Sequence, residues 1–132
     1  MKDSIFIGKV WFESFGYHFK KRKVTNQFQT NTEEEYIEKI KDTIFNYERV
    51  FYINERNGHG KWIDKLYFFT DSWVTIFKFD DYDFKIITSF KLEHDNYAEY
   101  LRTKGNLLLN GEVKDENEYK GIIEKIQRRV RS

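Results

Sequence analysis

The chain has 132 residues, the size of one ordinary domain, and is long enough to bury a single hydrophobic core. Aromatic side chains make up 19% of the residues and charged side chains 34%, with a net charge of only +1. The absence of cysteine excludes a disulfide framework, a thiol nucleophile and every zinc site built on cysteine. The near-neutral charge excludes a strong overall field toward nucleic acid, so any such attraction must come from local patches.

The sequence carries no sign of export or membrane insertion. Its first residues lack the apolar core of a signal peptide, and no stretch reaches the roughly 18 apolar residues that a membrane span requires. We therefore expect a cytoplasmic protein without membrane contact. With only 3 histidines we expect neither a metal site nor a cofactor. No repeat or linker interrupts the chain, which predicts a single domain over residues 1–132.

The amino-terminal part is predicted to form a β-hairpin. Residues 4–12 alternate weakly and are rich in Ile, Phe, Val and Trp, which is typical of a strand. Gly16 then permits a turn, and residues 17–28 have the composition of a second extended segment with a basic middle.

A helix is predicted from Asn31–Glu35 onward. Thr32 and Glu35 have the spacing of a capping box, in which each residue satisfies a backbone N–H of the other. The apolar residues that follow recur with a 3.6-residue period, which indicates an amphipathic helix. This stripe consists of Tyr36, Ile37, Ile40, Ile44 and Tyr47.

Residues 49–54 are predicted to form a strand, and three more strands follow at residues 65–70, 73–79 and 84–92. Asp71–Ser72 and Asp80–Asp83 are suited to the tight turns of this meander.

Strict alternation of side chains predicts which residues lie on each face of the last two strands, 73–79 and 84–92. The core face would carry Trp73, Thr75, Phe77, Phe79, Phe84, Ile86, Thr88, Phe90 and Leu92. The other face would carry Val74, Ile76, Lys78, Lys85, Ile87, Ser89 and Lys91. This second, partly cationic face is either a solvated surface or a platform for a ligand.

The carboxy-terminal part is predicted to be helical. Asp95 can cap a short helix that Gly105 ends, residues 106–109 are ambiguous, and Asp115 with Glu118 opens a terminal helix. Its apolar stripe consists of Tyr119, Ile122, Ile123, Ile126 and Val130. The predicted fold class is α+β, an antiparallel sheet of a three-strand meander plus an amino-terminal hairpin, packed against amphipathic helices.

The segment Glu55–Trp62 is a predicted loop rich in side chains that can do chemistry. Arg56, His59 and Lys61 fall within six residues and are separated by two glycines that let the backbone turn. Histidine can move a proton at neutral pH, and Arg and Lys can hold a phosphate. These are the groups needed to cleave RNA through its own 2′-hydroxyl. The alternative is an ordinary solvated loop, because Asn-Gly and His-Gly are common turn dipeptides.

A second basic feature is the run Lys20, Lys21, Arg22 and Lys23, with Tyr17, His18 and Phe19 beside it. A basic patch next to aromatic rings can follow a phosphate backbone and stack bases. Equally, lysines on a hairpin edge can serve only to discourage pairing with another strand.

The order of elements over residues 36–92 resembles the barnase–EndoU–colicin–RelE group of small RNases, in particular colicin-type tRNA-cleaving toxins. The resemblance lies in the helix YIEKIKDTIFNY, the loop ERNGHGKW and the run SWVTIFKFDDYDFKIITSF. It implies that RNA lies on the open sheet face and is cleaved without metal. It would make His59 a general acid or base and give Arg56 and Lys61 phosphate contacts. Ser89 and Thr88 would complete the catalytic set, and Lys78, Lys85 and Lys91 would contact RNA.

Two classes of function therefore remain. The first is a metal-independent endoribonuclease of the toxin type that cuts tRNA or mRNA through the 2′-hydroxyl. The alternative is a non-catalytic module that binds a cognate protein, such as an immunity or antitoxin protein or a phage-encoded inhibitor of a host defence system. Passive nucleic-acid binding through residues 20–23 is a third possibility.

Overall fold

The computed structural model describes residues 3–24, 32–70, 72–79, 83–92 and 116–132 of the chain. These residues contain six strands: β1 (Ile5–Ile7), β2 (Val10–Phe12), β3 (Arg49–Arg56), β4 (Trp62–Phe69), β5 (Trp73–Phe79) and β6 (Phe84–Lys91). They also contain the helices α1 (Phe15–Val24), α2 (Glu33–Phe45) and α3 (Glu116–Arg131). The fold class is α+β, as predicted.

The strands form one sheet in the order β1-β2-β6-β5-β4-β3. Strands β3 to β6 are a four-strand antiparallel meander, and β2 lies parallel to β6 at the side away from β5. The predicted meander of three strands therefore has one strand fewer than the observed meander, and the hairpin belongs to the same six-stranded sheet. The strand predicted at residues 49–54 pairs along its whole length with β4 and belongs to the same sheet.

The amino-terminal hairpin is shorter than predicted, and the prediction for residues 17–28 was wrong. Residues 4–12 are not one strand, because the chain turns at Gly8 and β1 pairs with β2. Within the predicted extended segment, the residues up to Val24 belong to α1; those from 25 to 28 lie outside the described residues. The buried side of α1 carries Phe15, Phe19 and Arg22, and their spacing of four and three residues is that of a helix.

Helix α2 confirms the predicted start and the stripe as far as Ile44, whereas Tyr47 lies beyond its end at Phe45. The Thr32 side chain accepts a hydrogen bond from the Glu35 backbone N–H, and Tyr36, Ile40 and Ile44 are fully buried. The helix packs on the sheet, where the Tyr36 ring centroid lies 6.3 Å from that of Trp73.

Helix α3 also matches its predicted stripe, with Ile123, Ile126 and Val130 buried. Its Gln127 side chain donates to the backbone carbonyl of Ile44 in α2. Several predictions fall outside the described residues: Asn31, Asp71, 80–82, the helix from Asp95 to Gly105, 106–109, Asp115 and the side chains of Glu118 and Tyr119. None of the helices in the described ranges is long and apolar enough to cross a membrane.

A β-bulge in β6 changes the predicted faces. Ile76 is opposite Thr88 and Phe77 is opposite Ile86, so Ile87 is the extra residue and the alternation shifts by one after it. Ser89 therefore turns toward the helices, whereas the predicted core residues Thr88, Phe90 and Leu92 belong to the other face.

The other face, which was expected to be either a solvated surface or a platform for a ligand, is buried over part of its area. It carries a second buried hydrophobic cluster, formed by Phe51, Ile53, Tyr67, Phe69, Val74, Ile76 and Leu92. The larger cluster lies on the helix side of the sheet. We call the two sides the helix face and the second face.

Candidate nucleic-acid interface

An open cavity of about 280 Å³ lies where the turn between β3 and β4 meets the end of β5 and the start of β6. It is lined by Asn57, Lys61, Trp62, Ile63, Asp64, Lys78, Phe79, Asp83 and Lys85. Three of these residues are lysines, and each comes from a different element: the turn, β5 and β6. We refer to this cavity as the lysine pocket.

The turn over residues 57–61 is held in place mainly by Asn57. Its side-chain oxygen accepts hydrogen bonds from the backbone N–H groups of His59 and Lys61, both at 2.9 Å. The backbone closes the turn as well, since the Asn57 N–H donates to the Lys61 carbonyl and Gly60 adopts a positive φ of 79°. The predicted loop is thus a tight turn with a defined shape, and Arg56 belongs to the strand before it.

The two carboxylates among the described residues of the lysine pocket are already engaged by other side chains. Asp64 accepts hydrogen bonds from the Tyr52 hydroxyl at 2.6 Å and the Asn54 amide at 2.8 Å. Asp83 forms an ion pair of 2.9 Å with Arg129. Arg129 therefore offsets the negative charge of Asp83, whereas the two donors to Asp64 are neutral and do not cancel a charge.

The charges of the three lysines in the pocket differ in this respect from those of Asp64 and Asp83. Within the described part of the chain, no carboxylate pairs with Lys61, Lys78 or Lys85. Lys78 and Lys85 are half-buried, where a charge is screened less than in open water. Since Asp83 is paired with Arg129, the described lining of the pocket has an excess of positive charge, which would favour an anion.

The register of the sheet brings lysines into one row on the second face. Lys65 lies opposite Lys78, and Lys78 lies opposite Lys85. Lys65 is neutralised by an ion pair of 2.9 Å with Glu55. Like charges that face each other across a strand pair are destabilising, so a bound anion would relieve the repulsion between Lys78 and Lys85.

A large aromatic ring lies at the rim of the lysine pocket. Trp62 is 60% exposed, which is unusual for so large an apolar side chain. The Arg56 guanidinium carbon lies 5.7 Å from the centroid of its ring. Exposed indole and guanidinium planes are the surfaces on which nucleic-acid bases stack.

The structure therefore brings five of the predicted site residues to one end of the sheet: Arg56, His59, Lys61, Lys78 and Lys85. Lys91 is not among them, because it lies six residues along β6 from Lys85, about 20 Å away at the rise of a strand. The prediction that Lys78 and Lys85 share a face with Ser89 and Lys91 was wrong, because the bulge moves the latter two to the helix face.

The predicted basic patch is divided in two. Lys20, Lys21 and Lys23 are exposed on α1, but Arg22 is only 5% exposed. Arg22 therefore does not belong to the solvent-facing patch.

Arg22 is the centre of a buried polar network at the edge of β6. Its guanidinium donates to the Ser89 carbonyl at 2.9 Å and to the Thr88 hydroxyl at 3.1 Å. The Tyr36 hydroxyl donates to the same Ser89 carbonyl at 2.6 Å, and His18 Nδ1 lies 3.0 Å from the Thr88 hydroxyl. The network joins α1, α2 and β6.

The Ser89 side chain extends this network into the core. Its hydroxyl lies 2.6 Å from Trp73 Nε1, which donates to it, and 2.8 Å from the Thr75 hydroxyl, which in turn contacts the Thr43 hydroxyl. Ser89 has no exposed surface. Its hydroxyl is thus satisfied inside the protein and lies away from the lysine pocket.

Burial in this network shifts the pKa values of its titratable groups. Loss of hydration lowers the pKa of His18 from 6.5 to about 4, and the charges of Arg22 and Lys21 add to the effect. Burial also lowers the pKa of Arg22 and raises that of Tyr36. His18 is therefore neutral at pH 7 and joins Thr88 as an uncharged hydrogen-bonding group.

The position of His18 predicts that acid weakens the fold. Its pKa is about 4 in the folded chain and 6.5 when unperturbed, so between these values the unfolded state binds more protons. The free energy of unfolding should therefore fall as the pH drops from about 6.5 to about 4. Urea denaturation across this range measures it.

The matched variant His18→Asn keeps a polar group near Thr88 but cannot titrate. Relative to this variant, the wild-type chain should lose stability progressively on acidification. A difference between the two chains that does not change with pH would contradict the assignment.

Two features of this region were not predicted from the sequence. One is the role of His18 and Tyr36 in the buried network, for which the helical spacing of Phe15, Phe19 and Arg22 was the available signal. The other is that Phe6 and Trp11 lie in register with Lys85: Phe6 is opposite Trp11, and Trp11 is opposite Lys85. This depends on the parallel pairing of β2 with β6 and has no local signal.

The described residues contain no cluster of three or more His, Asp or Glu side chains that could hold a metal ion. A family model described as "Uncharacterised protein aq_aa01" matches residues 4–131. No curated protein and no solved structure matches the chain significantly. The chain belongs to the aq_aa01 family.

Proposed function

We propose that this member of the aq_aa01 family binds single-stranded RNA at the lysine pocket and cleaves it there as a metal-independent endoribonuclease. The observation that carries this proposal is the convergence of Lys61, Lys78 and Lys85 around one cavity. Among the described residues that line it, the carboxylates of Asp64 and Asp83 accept hydrogen bonds from side chains other than these lysines. Phosphodiester groups are the anions that such a lysine cluster suits, and Trp62 beside it offers a surface for a base.

The chemistry would proceed through the RNA itself. The 2′-hydroxyl oxygen attacks the adjacent phosphorus, His59 accepts the hydroxyl proton, and the bond from phosphorus to the 5′-oxygen breaks. The products are a 2′,3′-cyclic phosphate and a 5′-hydroxyl, which takes its proton from water. The lysines offset the charge that develops on the phosphoryl oxygens.

His59 is the proposed proton acceptor because of its place in the turn. It is exposed, and its backbone is fixed by Asn57 two residues from Lys61. Host tRNA or mRNA would be the substrate, as the resemblance to colicin-type toxins implies. Thr88 and Ser89 are not part of this site in our proposal, because the buried network engages both hydroxyls.

We expect the variant Lys78→Gln/Lys85→Gln to bind single-stranded RNA more weakly and with less dependence on salt. Each lysine that contacts a phosphate contributes about 0.7 to the slope of log affinity against log salt for a single strand, so the double variant should lose about 1.4. Fluorescence anisotropy with a labelled oligouridylate between about 50 and about 200 mM salt measures both quantities.

The matched control is Lys20→Gln/Lys23→Gln, which removes two exposed lysines from α1. It should leave the affinity for RNA and its dependence on salt near those of the wild-type chain. A larger effect of this control than of the pocket variant would show that RNA binds the lysines of α1 instead. If the wild-type chain does not bind RNA, the proposal is wrong.

Recognition of a cognate protein is the second candidate function. The exposure of Trp62 at 60% and Phe6 at 63% favours it, because exposed aromatic side chains are frequent anchors of protein interfaces. The chain would then itself be an immunity or antitoxin protein that binds its cognate toxin, or a phage-encoded inhibitor whose partner is a host defence protein. Recovery of one stoichiometric protein partner, with no binding or degradation of RNA, would select this function over the first.

A further inference from the structure

Two aromatic rings form an exposed pair on the hairpin of β1 and β2. Phe6 is 63% exposed, and its ring centroid lies 4.6 Å from that of Trp11 with the ring planes tilted by 50°. The neighbours Ile5 and Ile7 pack with the core of the helix face, so Phe6 points to the opposite side of the sheet. The pair therefore lies on the second face.

The strand register aligns this pair with the lysines of the pocket. Phe6 is opposite Trp11, Trp11 is opposite Lys85, and Lys85 is opposite Lys78. One row across β1, β2, β6 and β5 thus carries two aromatic rings followed by two lysines. With neighbouring strands about 4.8 Å apart, the row from Phe6 to Lys78 spans about 14 Å, which is longer than a single nucleotide.

We propose that Phe6 and Trp11 form a base-stacking subsite, so that the ligand is a single strand of several nucleotides running across β5, β6, β2 and β1. This inference rests on the proposed function and adds the path and minimum length of the RNA. The lysines would hold the phosphates at one end of the row, and the exposed ring of Phe6 would stack a base at the other. Contact through ring faces makes this subsite tolerant of base identity.

Two observations favour a nucleic acid over a second protein chain on this row. The aromatic pair continues directly into Lys85 and Lys78, which have no carboxylate partner within the described residues. In addition, β1 is only 3 residues long, which offers little edge for another chain to pair with. An anionic polymer with flat bases matches both halves of the row.

The proposal is tested by comparing a short with a longer RNA. For Phe6→Ala we expect binding of an oligouridylate of about eight nucleotides to weaken about tenfold, because one base loses its stacking partner. Binding of a uridine dinucleotide, which occupies only the lysine pocket, should not change. Phe6→Leu, which keeps the apolar volume but removes the ring, should show the same pattern.

The matched control is Tyr17→Ala, which removes a ring of similar exposure, 64%, from α1. It should bind both RNAs like the wild-type chain. Lys78→Gln separates the two proposals, since it should weaken both RNAs. If Lys78→Gln weakens both and the Phe6 variants bind the longer RNA normally, the stacking subsite is wrong and the lysine pocket stands. If Lys78→Gln changes neither, the proposed function fails and the subsite with it.

Discussion

The variant Gly8→Ala is expected to lose about 3 kcal/mol of its free energy of unfolding, the magnitude of backbone strain combined with overpacking. Gly8 has a φ of 61°, in the left-handed region where a side chain is strained. A Cβ atom at this position would lie 2.3 Å from the carbonyl oxygen of Val130, which is backbone and cannot rotate away.

The expected loss is large because the turn at Gly8 packs against the backbone of α3. The Lys9 backbone N–H donates a 2.8 Å hydrogen bond to the Arg129 carbonyl, so the turn of the hairpin lies directly against the last turn of α3. To make room for a Cβ atom, either the helix or the hairpin would have to move. Movement of either would disturb the buried side chains of Val130 and Ile7.

The matched control for this prediction is Gly58→Ala, because its φ is not positive. Apart from its two chain neighbours, no described residue has an atom within 4 Å of a Cβ built there. Urea denaturation of both variants should give a large loss for Gly8→Ala and a small change for Gly58→Ala. Equal stability of the two variants would show that the hairpin does not rest on α3 as described.

Helices α2 and α3 could be predicted because their signals are local. In α2, the cap at Thr32 and the stripe through Tyr36, Ile40 and Ile44 lie within one short stretch of sequence. The same reasoning failed for α1. Its aromatic residues favour strands by composition, and its buried side includes Arg22, a charged residue that a search for apolar periodicity passes over.

The faces of β6 could not be predicted beyond Ile87. Alternation placed Phe84 and Ile86 correctly, but one extra residue in the strand reverses every later position. Nothing in the composition of residues 84–92 marks the bulge. Ser89 therefore was expected on a ligand face, although it forms hydrogen bonds with Trp73 and Thr75 in the core.

The candidate site shows the same division between local and distant information. The closeness of Arg56, His59 and Lys61 follows from the sequence, because they share one turn. Their meeting with Lys78 and Lys85 depends on where three strands end, and the link to Phe6 depends on a parallel pairing between segments more than 70 residues apart. Sequence patterns predict neither.

The largest expected effect on activity is that of His59→Asn, which should slow RNA cleavage about a hundredfold or more while RNA binding persists. This is the contribution that a general acid or base commonly makes. The His59 side chain is exposed, so its replacement should not disturb the fold. Single-turnover cleavage of a labelled RNA, together with anisotropy under the same conditions, separates the two steps.

A modified RNA substrate provides a control that amino-acid substitution cannot provide. A single 2′-deoxy nucleotide at the cleaved position should block cleavage there, because the attacking hydroxyl is absent, and a chelator should have no effect. Cleavage that is equally fast in the wild-type chain and in His59→Asn would exclude His59 as the proton acceptor.

Binding without cleavage would have a different meaning. If the wild-type chain binds RNA through Lys78 and Lys85 but leaves it intact, the lysine pocket would remain a nucleic-acid site and the role of His59 would be removed. That outcome would be consistent with the geometry, since the lysines and rings require only an anionic strand, whereas cleavage also requires the exposed imidazole of His59 to reach the 2′-hydroxyl of the bound RNA.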